Sequence, residues 1–547
     1  MVNVRTPEYD NVEIGYDIDS FIERVSQHNS NVYFHNLRFD GTFILDWLLR
    51  NGYEFTVSKF KTAPGMFKAL ISSQNKFYSI TVCWKNGKTT EFRDSYKKFP
   101  NMSVSRIADT FKLEESKGKI DYEKYRPPGY ILDENEEDYL RKDVCIVAQA
   151  LLLQLDEGMT KLTTASDSMH EFKRLFGEKA FKRYFPALPN QMDKEIRYSY
   201  RGGWTYADKR HVGKRVGNGL VLDVNSLYPA TMRFALLPYG EPTYHSGYVE
   251  LTDKRPLSIF SVTFTARIKR NHVPCIQIKG QSFFSNTEYL EVIKEPTTLW
   301  VTSVDWELWN EHYQIEVYAY NGGWSFKAAH GFFDEYVDKW STIKASAVGG
   351  RREIAKMYLN SLYGKFASNP NVTGKVPSLE DNRLKLTIGE DETRPPVYTA
   401  MGSFITAHAR ALTIRAAQVN YATFAYADTD SLHLLTDELP SELEVHPDNL
   451  GAWKLEYTFG EAVYVRSKFY SEKDCVTPKG HEIPYITKAA GLPDHMSKLL
   501  TFDDLVPGTV IDGGWVRERS GDPSATGKLQ PKIVPGGVVL EERPWTV

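Results

Sequence analysis

Cysteine is scarce in this chain. Cys83, Cys145, Cys275 and Cys475 are spread over 547 residues, and no two of them form a CxxC pair. That excludes a disulfide framework and a paired-cysteine zinc site, and it suits reduced intracellular thiols. Long apolar runs are missing too. No stretch reaches the roughly 18 residues a membrane span needs, and no secretory leader is recognisable. Nor is there an excess of one charge. With 67 Lys and Arg against 70 Asp and Glu the net charge is −3, so any nucleic-acid contact must come from local clusters. No internal repeat or low-complexity tract is found.

Aromatic residues are abundant, at 13% with 32 Tyr and 29 Phe. They suit stacking on bases and sugars as well as core filling. A hydrophobic share of 41% with 25% charged residues is that of a globular protein, and the length allows several domains.

The most informative stretch is Tyr426-Ala427-Asp428-Thr429-Asp430-Ser431. Apolar runs on both sides predict a strand, a tight turn and a second strand. Asp428 and Asp430, one residue apart, can project to one side. Carboxylates held close repel, so the arrangement calls for a cation, and hard oxygen ligands suit Mg²⁺ or Mn²⁺. The plainer reading is a polar hairpin turn. A second short strand, Leu220-Val221-Leu222, ends in Asp223, the natural third carboxylate.

Further candidates follow from local pattern. Asn31 to Phe34 predicts a buried strand leading into His35-Asn36 and a helix with Asp40 in its first turn. That Asp is either an ordinary helix-dipole carboxylate or a metal ligand. Tyr139 and Asp143 share one face of a long helix. Tyr200-Arg201-Gly202-Gly203 lets the backbone approach something closely, a phosphate or simply a turn. Between Arg351 and Val376 the cations Arg351, Arg352, Lys356, Lys365 and Lys375 face a single acid, Glu353. That excess, interleaved with Tyr358, Asn360 and Tyr363, suits a triphosphate or a nucleic-acid backbone.

Together these pieces resemble a family B DNA polymerase of the protein-primed kind found in small podophages, over nearly the whole chain. Asp223 to Pro229 (DVNSLYP) is similar to the first polymerase motif. Lys356 to Gly364 (KMYLNSLYG) is similar to the second, and YADTDS to the third. Lys468-Phe469-Tyr470 resembles the Lys-x-Tyr motif and Tyr200 to Gly203 the Tyr-x-Gly-Gly motif. Their order and spacing make the resemblance strong.

The resemblance implies an α/β and α+β multidomain fold, a truncated ribonuclease-H-like exonuclease domain followed by a right-hand palm, fingers and thumb. The expected division is 1–163 for the exonuclease-like domain, 164–234 for the first part of the palm and 235–331 for a terminal-protein-region insertion. Fingers at 332–367, a second insertion at 368–399, the rest of the palm at 400–502 and a thumb at 503–547 would follow.

It also implies template-dependent deoxynucleotidyl transfer with two Mg²⁺ or Mn²⁺ ions about 3.5–4 Å apart. Asp223 and Asp430 would bridge both ions, with the Val224 carbonyl as a further ligand and Asp428 close by. Lys344 and Lys356 would hold the triphosphate, and Tyr228 would lie under the sugar. Asn360, Tyr363 and Gly364 would pack on the nascent base pair. Lys468, Tyr470, Tyr200, Gly202 and Gly203 would contact DNA. The implied partners are primer-template DNA, deoxynucleoside triphosphates and a terminal protein. A monomer without a membrane partner is expected, in the cytoplasm of a bacterial host if phage-encoded.

The exonuclease-like part departs from the family. Asn36 and Asp40 fit its second motif, Tyr139 and Asp143 its third, and Ser95 stands where a single-strand ligand is expected, with Tyr96 replacing the usual Leu. The first motif, an Asp-x-Glu on a strand, is not found. Asp17 and Asp19 have the spacing but open a helix. Proofreading activity is therefore expected to be weak or absent. A non-catalytic DNA- or protein-binding relic and a nuclease are the competing readings.

Overall fold

A computed structural model describes residues 1–57, 62–118, 120–121, 124–127, 129–278 and 289–547. Part of the 235–331 insertion, 279–288, thus lies outside the described residues.

The N-terminal unit is built on five strands in the order Ser30–Phe34, Thr89–Asp94, Phe77–Cys83, Met66–Ile71, Glu54–Phe55. The first pair runs parallel, Ser30 opposite Thr90. Helix Leu37–Arg50 covers this sheet, burying Leu37, Ile44, Leu45 and Leu48 against Phe67, Ile80 and Phe92. Asp94 anchors the helix start, because its carboxylate accepts from the Asn36 and Leu37 amides at 3.0 and 3.2 Å. Asp17 caps helix Ile18–Ser26 by accepting from the Ser20 amide, so the Asp17/Asp19 pair does open a helix, as expected. The long helix Glu134–Asp156 starts with a reciprocal capping box between Asp133 and Glu136.

This unit is bolted to the next by a buried ion pair, Lys98 with Asp167. Burial is the leading influence on both, lowering the lysine and raising the acid toward their neutral forms. The pair therefore fixes geometry more than it adds stability.

The central sheet has nine strands. Eight follow the order Thr205–Ala207, Phe424–Asp428, Ser431–Leu434, Gly219–Val224, Trp453–Phe459, Phe469–Val476, Glu461–Arg466, Arg215–Val216, and Glu482–Ala489 pairs with Phe469–Val476. Helix Thr399–Val419, buried along most of its length, lies behind it. Two helices, Asp334–Ser346 and Gly349–Phe366, form an antiparallel arm. Trp340 stacks on Tyr358 between them at 4.0 Å.

The stretch 235–331 folds as its own antiparallel sheet with a helix, Ser303–His312. It is locked to the central unit by Arg410, whose guanidinium donates to Asp305 at 2.7 Å and to the Arg201 and Gly202 carbonyls at 2.6 and 2.8 Å. Residues 371–393 make a hairpin that bonds back to the first unit, the Ser73 amide donating to the Thr373 carbonyl at 3.0 Å. The C-terminal hairpin, Lys528–Val534 with Gly537–Arg543, leans on helix Leu37–Arg50. No helix among the described residues is long and apolar enough to cross a membrane. All four cysteines are free and buried.

Candidate active site

The central sheet sets three carboxylates, Asp223, Asp428 and Asp430, at the ends of two hairpin strands and their neighbour. Strand Ser431–Leu434 pairs antiparallel with both Phe424–Asp428 and Gly219–Val224, which sets Ser431 opposite Asp428 on one side and Asp223 on the other. The Val224 amide donates to the Asp430 carbonyl at 2.8 Å. The strand–turn–strand expected at Asp428 to Ser431 is what forms.

The turn itself is strained. Thr429 has φ +63°, in the left-handed region that β-branched residues avoid. The Asp430 amide reaches back to the Asp428 carbonyl at 2.7 Å, closing a turn of three residues. Two outside contacts hold it. The Thr429 amide donates to the Trp204 carbonyl, and the Thr413 hydroxyl donates to the Thr429 carbonyl, both at 2.7 Å. Gly203 makes room, since a Cβ there would come within 2.5 Å of the Thr429 hydroxyl. The close approach expected at the Gly-Gly step is thus to the protein's own acidic turn. A Cβ on Gly202 would meet nothing within 4 Å.

Among the described residues Asp223 and Asp430 form no ion pair, although Lys454, Lys344 and Lys468 lie near enough to favour their charged forms in part. Burial, then the Asp430 charge, push the Asp223 carboxyl up to about 7, and burial raises Asp430 as well. Asp428 stands apart chemically. Its carboxylate accepts from Lys468 Nζ at 3.0 and 3.2 Å and from the Thr205 hydroxyl at 2.8 Å. Asp430 is thus repelled from both sides, by Asp223 across the strands and by Asp428 within the turn.

That frustration is the observation a divalent cation would relieve. Among the described residues no group of three or more His, Cys, Asp and Glu is gathered to hold a metal ion alone. A cation here would draw its remaining oxygens from the backbone, such as the Val224 carbonyl, and from water, several of which Mg²⁺ commonly keeps.

Cations gather near the acids. Lys344 donates to the Ser226 hydroxyl at 2.8 Å, and Arg352 donates to the Lys344 carbonyl at 2.7 Å. Burial lowers the Lys344 ammonium, with Arg352, Lys356 and Lys454 repelling it further. Three other members of the expected cation cluster lie elsewhere. Arg351 pairs with Glu157 at 2.8 Å, Lys375 sits in the 371–393 hairpin, and Lys365 is half-buried near Arg394 and Lys173. Lys356 and Asn360 are exposed on the arm, and Gly364 opens onto free space. Tyr228 and Tyr363 stack at 3.8 Å and 16°, forming a flat floor between sheet and arm.

Two DNA-contact candidates are placed differently from expectation. Tyr470 is only 7% exposed and packs against Tyr426, His433 and Tyr464. Ser95 is fully buried, its hydroxyl donating to the Phe34 carbonyl at 3.0 Å and lying 3.1 Å from His35 Nδ1. Ser95 opens the short 3-10 turn just past strand Thr89–Asp94, and Tyr470 lies in a strand buried on both faces from Phe469 to Glu472. Lys468 is exposed at φ +62°, and Tyr200 is half-buried.

The second acidic group lies in the N-terminal unit. Asp40 is pushed up to about 6, mainly by burial, with Asp94 and Asp143 adding repulsion. Asp143 pairs with Lys117 at 3.3 Å, and the same ammonium lies 5.4 Å from the centre of the Tyr139 ring, which is buried. Asn36 takes φ +75° at the turn into helix Leu37–Arg50.

Sequence reasoning missed Lys117, Asp94, Lys454 and Glu456. Strand Trp453–Phe459 sets Lys454 directly opposite Asp223, and Lys454 pairs with Glu456 at 2.5 Å. Glu456 adds negative charge beside both Asp223 and Asp430. Only an i, i+2 alternation of charges in a short strand signalled them.

Comparison with known proteins places these features in context. The family described as DNA polymerase type B, organellar and viral, matches residues 22–126 and 99–445. The DNA polymerase of Bacillus phage phi29 is 41% identical over 99% of this chain and 94% of its own length. That of Streptococcus phage Cp-1 is 31% identical over 91% and 86%. The structure of phi29 DNA polymerase complexed with primer-template DNA superposes with a TM-score of 0.90, at 41% identity, covering 100% of this chain and 95% of that one.

The raised Asp223 carboxyl has a consequence for stability. Its unfolded value is about 3.9, so between about pH 4 and pH 7 the folded protein holds a proton that the unfolded chain has released. Stability is then lost as pH rises through that window. In metal-free buffer at pH 8, Asp223→Asn should therefore melt at a higher temperature than the parent, and the gap should close below about pH 4. A lower melting point for the variant at pH 8 would contradict the repulsion between Asp223 and Asp430.

Proposed function

The chain belongs to the organellar and viral type B DNA polymerases, and on that premise we propose that it extends a DNA strand on a template with Asp223 and Asp430 at the reaction centre. The observation that carries this is their mutual repulsion in a buried position beside the half-buried Lys344. Two divalent cations, when bound, would activate the primer 3′-hydroxyl and neutralise the leaving pyrophosphate.

The chain's own side chains do the rest. Asp223 and Asp430 present oxygens from adjacent strands, and the Val224 carbonyl adds one from the same strand as Asp223. Lys344 and Lys356, with Arg352 beside them, attract the triphosphate as point charges. Tyr228, on the Tyr363 stack, closes the space under the sugar and so excludes a 2′-hydroxyl. Asn360 and Gly364, on the exposed face of the same helix, pack against the nascent base pair. Lys468, with Tyr200, Gly202 and Gly203, lies along the primer strand, and Tyr470 supports Lys468 from within the sheet.

In this reading residues 164–234 and 400–502 are the palm, 332–367 the fingers and 503–547 the thumb. The 368–399 hairpin closes the template path toward the exonuclease-like unit, 1–163. The 235–331 insertion receives a terminal protein, which offers a side-chain hydroxyl in place of a primer. Its attachment through Arg410 to the Tyr-x-Gly-Gly loop supports that role, because a partner seated there sits beside the primer path.

The exonuclease-like unit is read as a DNA-guiding surface with weak nuclease activity. Hydrolysis by two metals needs enough carboxylate charge to hold both ions. Among the described residues Asp94 is committed to helix amides and to Lys97, and Asp143 to Lys117.

Three experiments test this reading. In a primer-extension assay with Mg²⁺, Asp223→Ala and Asp430→Ala should abolish extension and leave primer-template binding nearly unchanged, with Asp428→Ala less severe. Extension within about tenfold of the parent, roughly 1.4 kcal/mol of barrier, would remove both acids from the reaction. Incubation with a candidate terminal protein, dATP and Mn²⁺ should yield protein-linked nucleotide, and deletion of residues 250–320 should stop it. Linkage that survives the deletion counts against the insertion as the docking site. A 5′-labelled single strand should be degraded only slowly by the 547-residue chain, at a rate little changed by Asp143→Ala. Rapid degradation that disappears in that variant would mean a complete nuclease site.

A further inference from the structure

Beneath the acidic turn lies a polar network that the proposed chemistry does not use. Glu472, on strand Phe469–Val476, and His433, on strand Ser431–Leu434, are both fully buried. His433 Nδ1 donates to Glu472 Oε1 at 2.6 Å, the Tyr464 hydroxyl donates to the same oxygen at 2.8 Å, and the Tyr457 hydroxyl donates to Oε2 at 2.6 Å. Three donors on one carboxylate offset much of its desolvation, but apolar side chains would fill this space at lower cost. Burial and then the Glu472 charge hold both tyrosine hydroxyls well above their usual range, so they stay protonated and donate.

The network points at the reaction centre through His433. Its Nδ1 is committed to Glu472, which leaves Nε2 facing the Ser431 hydroxyl at 3.4 Å. That hydroxyl also lies 3.4 Å from the Asp428 carbonyl, whose other partner is the Asp430 amide. Strand alternation puts His433 on the face of Ser431, opposite Tyr426 in register, while Ser431 stands opposite both Asp428 and Asp223. The imidazole is wedged by ring edges, with Tyr426 at 5.0 Å and 90°, Tyr470 at 5.1 Å and 80° and Tyr464 at 5.8 Å and 87°. It cannot rotate without breaking both its hydrogen bond and this packing. Tyr426, held by the same rings, accepts from the Lys468 amide at 2.9 Å.

We propose that Glu472 and His433 are a positioning pair, which orients Ser431 and holds the strained Asp428–Thr429–Asp430 turn in the geometry that strand extension requires. Neither touches substrate. The pair acts on the turn's backbone through Ser431, at the Asp428 carbonyl, whereas Trp204 and Thr413 hold Thr429. This rests on the reading of Asp223 and Asp430 as the reacting acids.

The test uses the full chain. His433→Leu should lower kcat for extension about tenfold, with nucleotide KM and primer-template Kd within about twofold of the parent. In metal-free protein without DNA, amide exchange at Asp430 and Ser431 should quicken about tenfold, while exchange in strand Leu257–Ile268 stays unchanged. His433→Gln, which keeps a donor toward Glu472, should recover most of the rate, and Glu472→Gln should fall between. Parent-like kcat in His433→Leu overturns the proposal. So does a fall in kcat with no change in exchange at the turn, which would make the network core packing only. If His433→Leu does not fold, the two Gln variants decide by the same readouts, parent-like kcat in both overturning the proposal. Asp223→Ala serves as the control. Should it retain extension, the reading of the reaction centre fails, whatever the pair does.

Discussion

The structure turns on a three-residue bend that a free chain would avoid. Thr429 at φ +63° carries a cost of order 1–3 kcal/mol, and its surroundings impose it. Trp204 holds it by a carbonyl, Thr413 by a hydroxyl, and Gly203 by the absence of a side chain. The contacts come from two other parts of the chain, the Gly203-Trp204 step and helix Thr399–Val419. The bend places Asp430 beside Asp223 and leaves Asp428 to Lys468 and Thr205. Without it, the two acids that repel each other would move apart.

Similar strain recurs where chemistry is proposed. Asn36, Ser226 and Lys468 are, like Thr429, non-glycine residues in the left-handed region. Each stands where a strand ends and a functional side chain must be aimed. Asn36 precedes Asp40, Ser226 receives Lys344, and Lys468 reaches Asp428. A relaxed turn would place these groups, but would not aim them.

The repulsion between Asp223 and Asp430 and the cations of the arm are two halves of one electrostatic design. An acid pair pushed toward protonation and a lysine pushed toward neutrality both lose favourable solvation on folding. Each would recover it when the missing partner arrives, cations for the acids and phosphates for Lys344. Folding energy elsewhere, in the buried helix Thr399–Val419 and the aromatic core beside it, keeps the site from relaxing beforehand.

The sequence by itself determined the local elements and the identity of the acids. The apolar run Leu220-Val221-Leu222 placed the core of strand Gly219–Val224, and Asp223, Asp428 and Asp430 stood out by their position at strand ends. Motif order carried the family, because several short patterns in register are improbable together. Tertiary structure decided what each residue touches. Gly203 packs on Thr429, Tyr470 and Ser95 face inward, and Arg351 and Lys375 leave the cation cluster. Lys454 and Glu456 join the site from a strand whose sequence carries no motif, and His433 and Glu472 from just beyond the motifs that begin their strands. The reason is physical. Local propensity acts over a few residues, whereas cross-strand register brings together groups up to some 230 apart, and only the folded sheet sets that register.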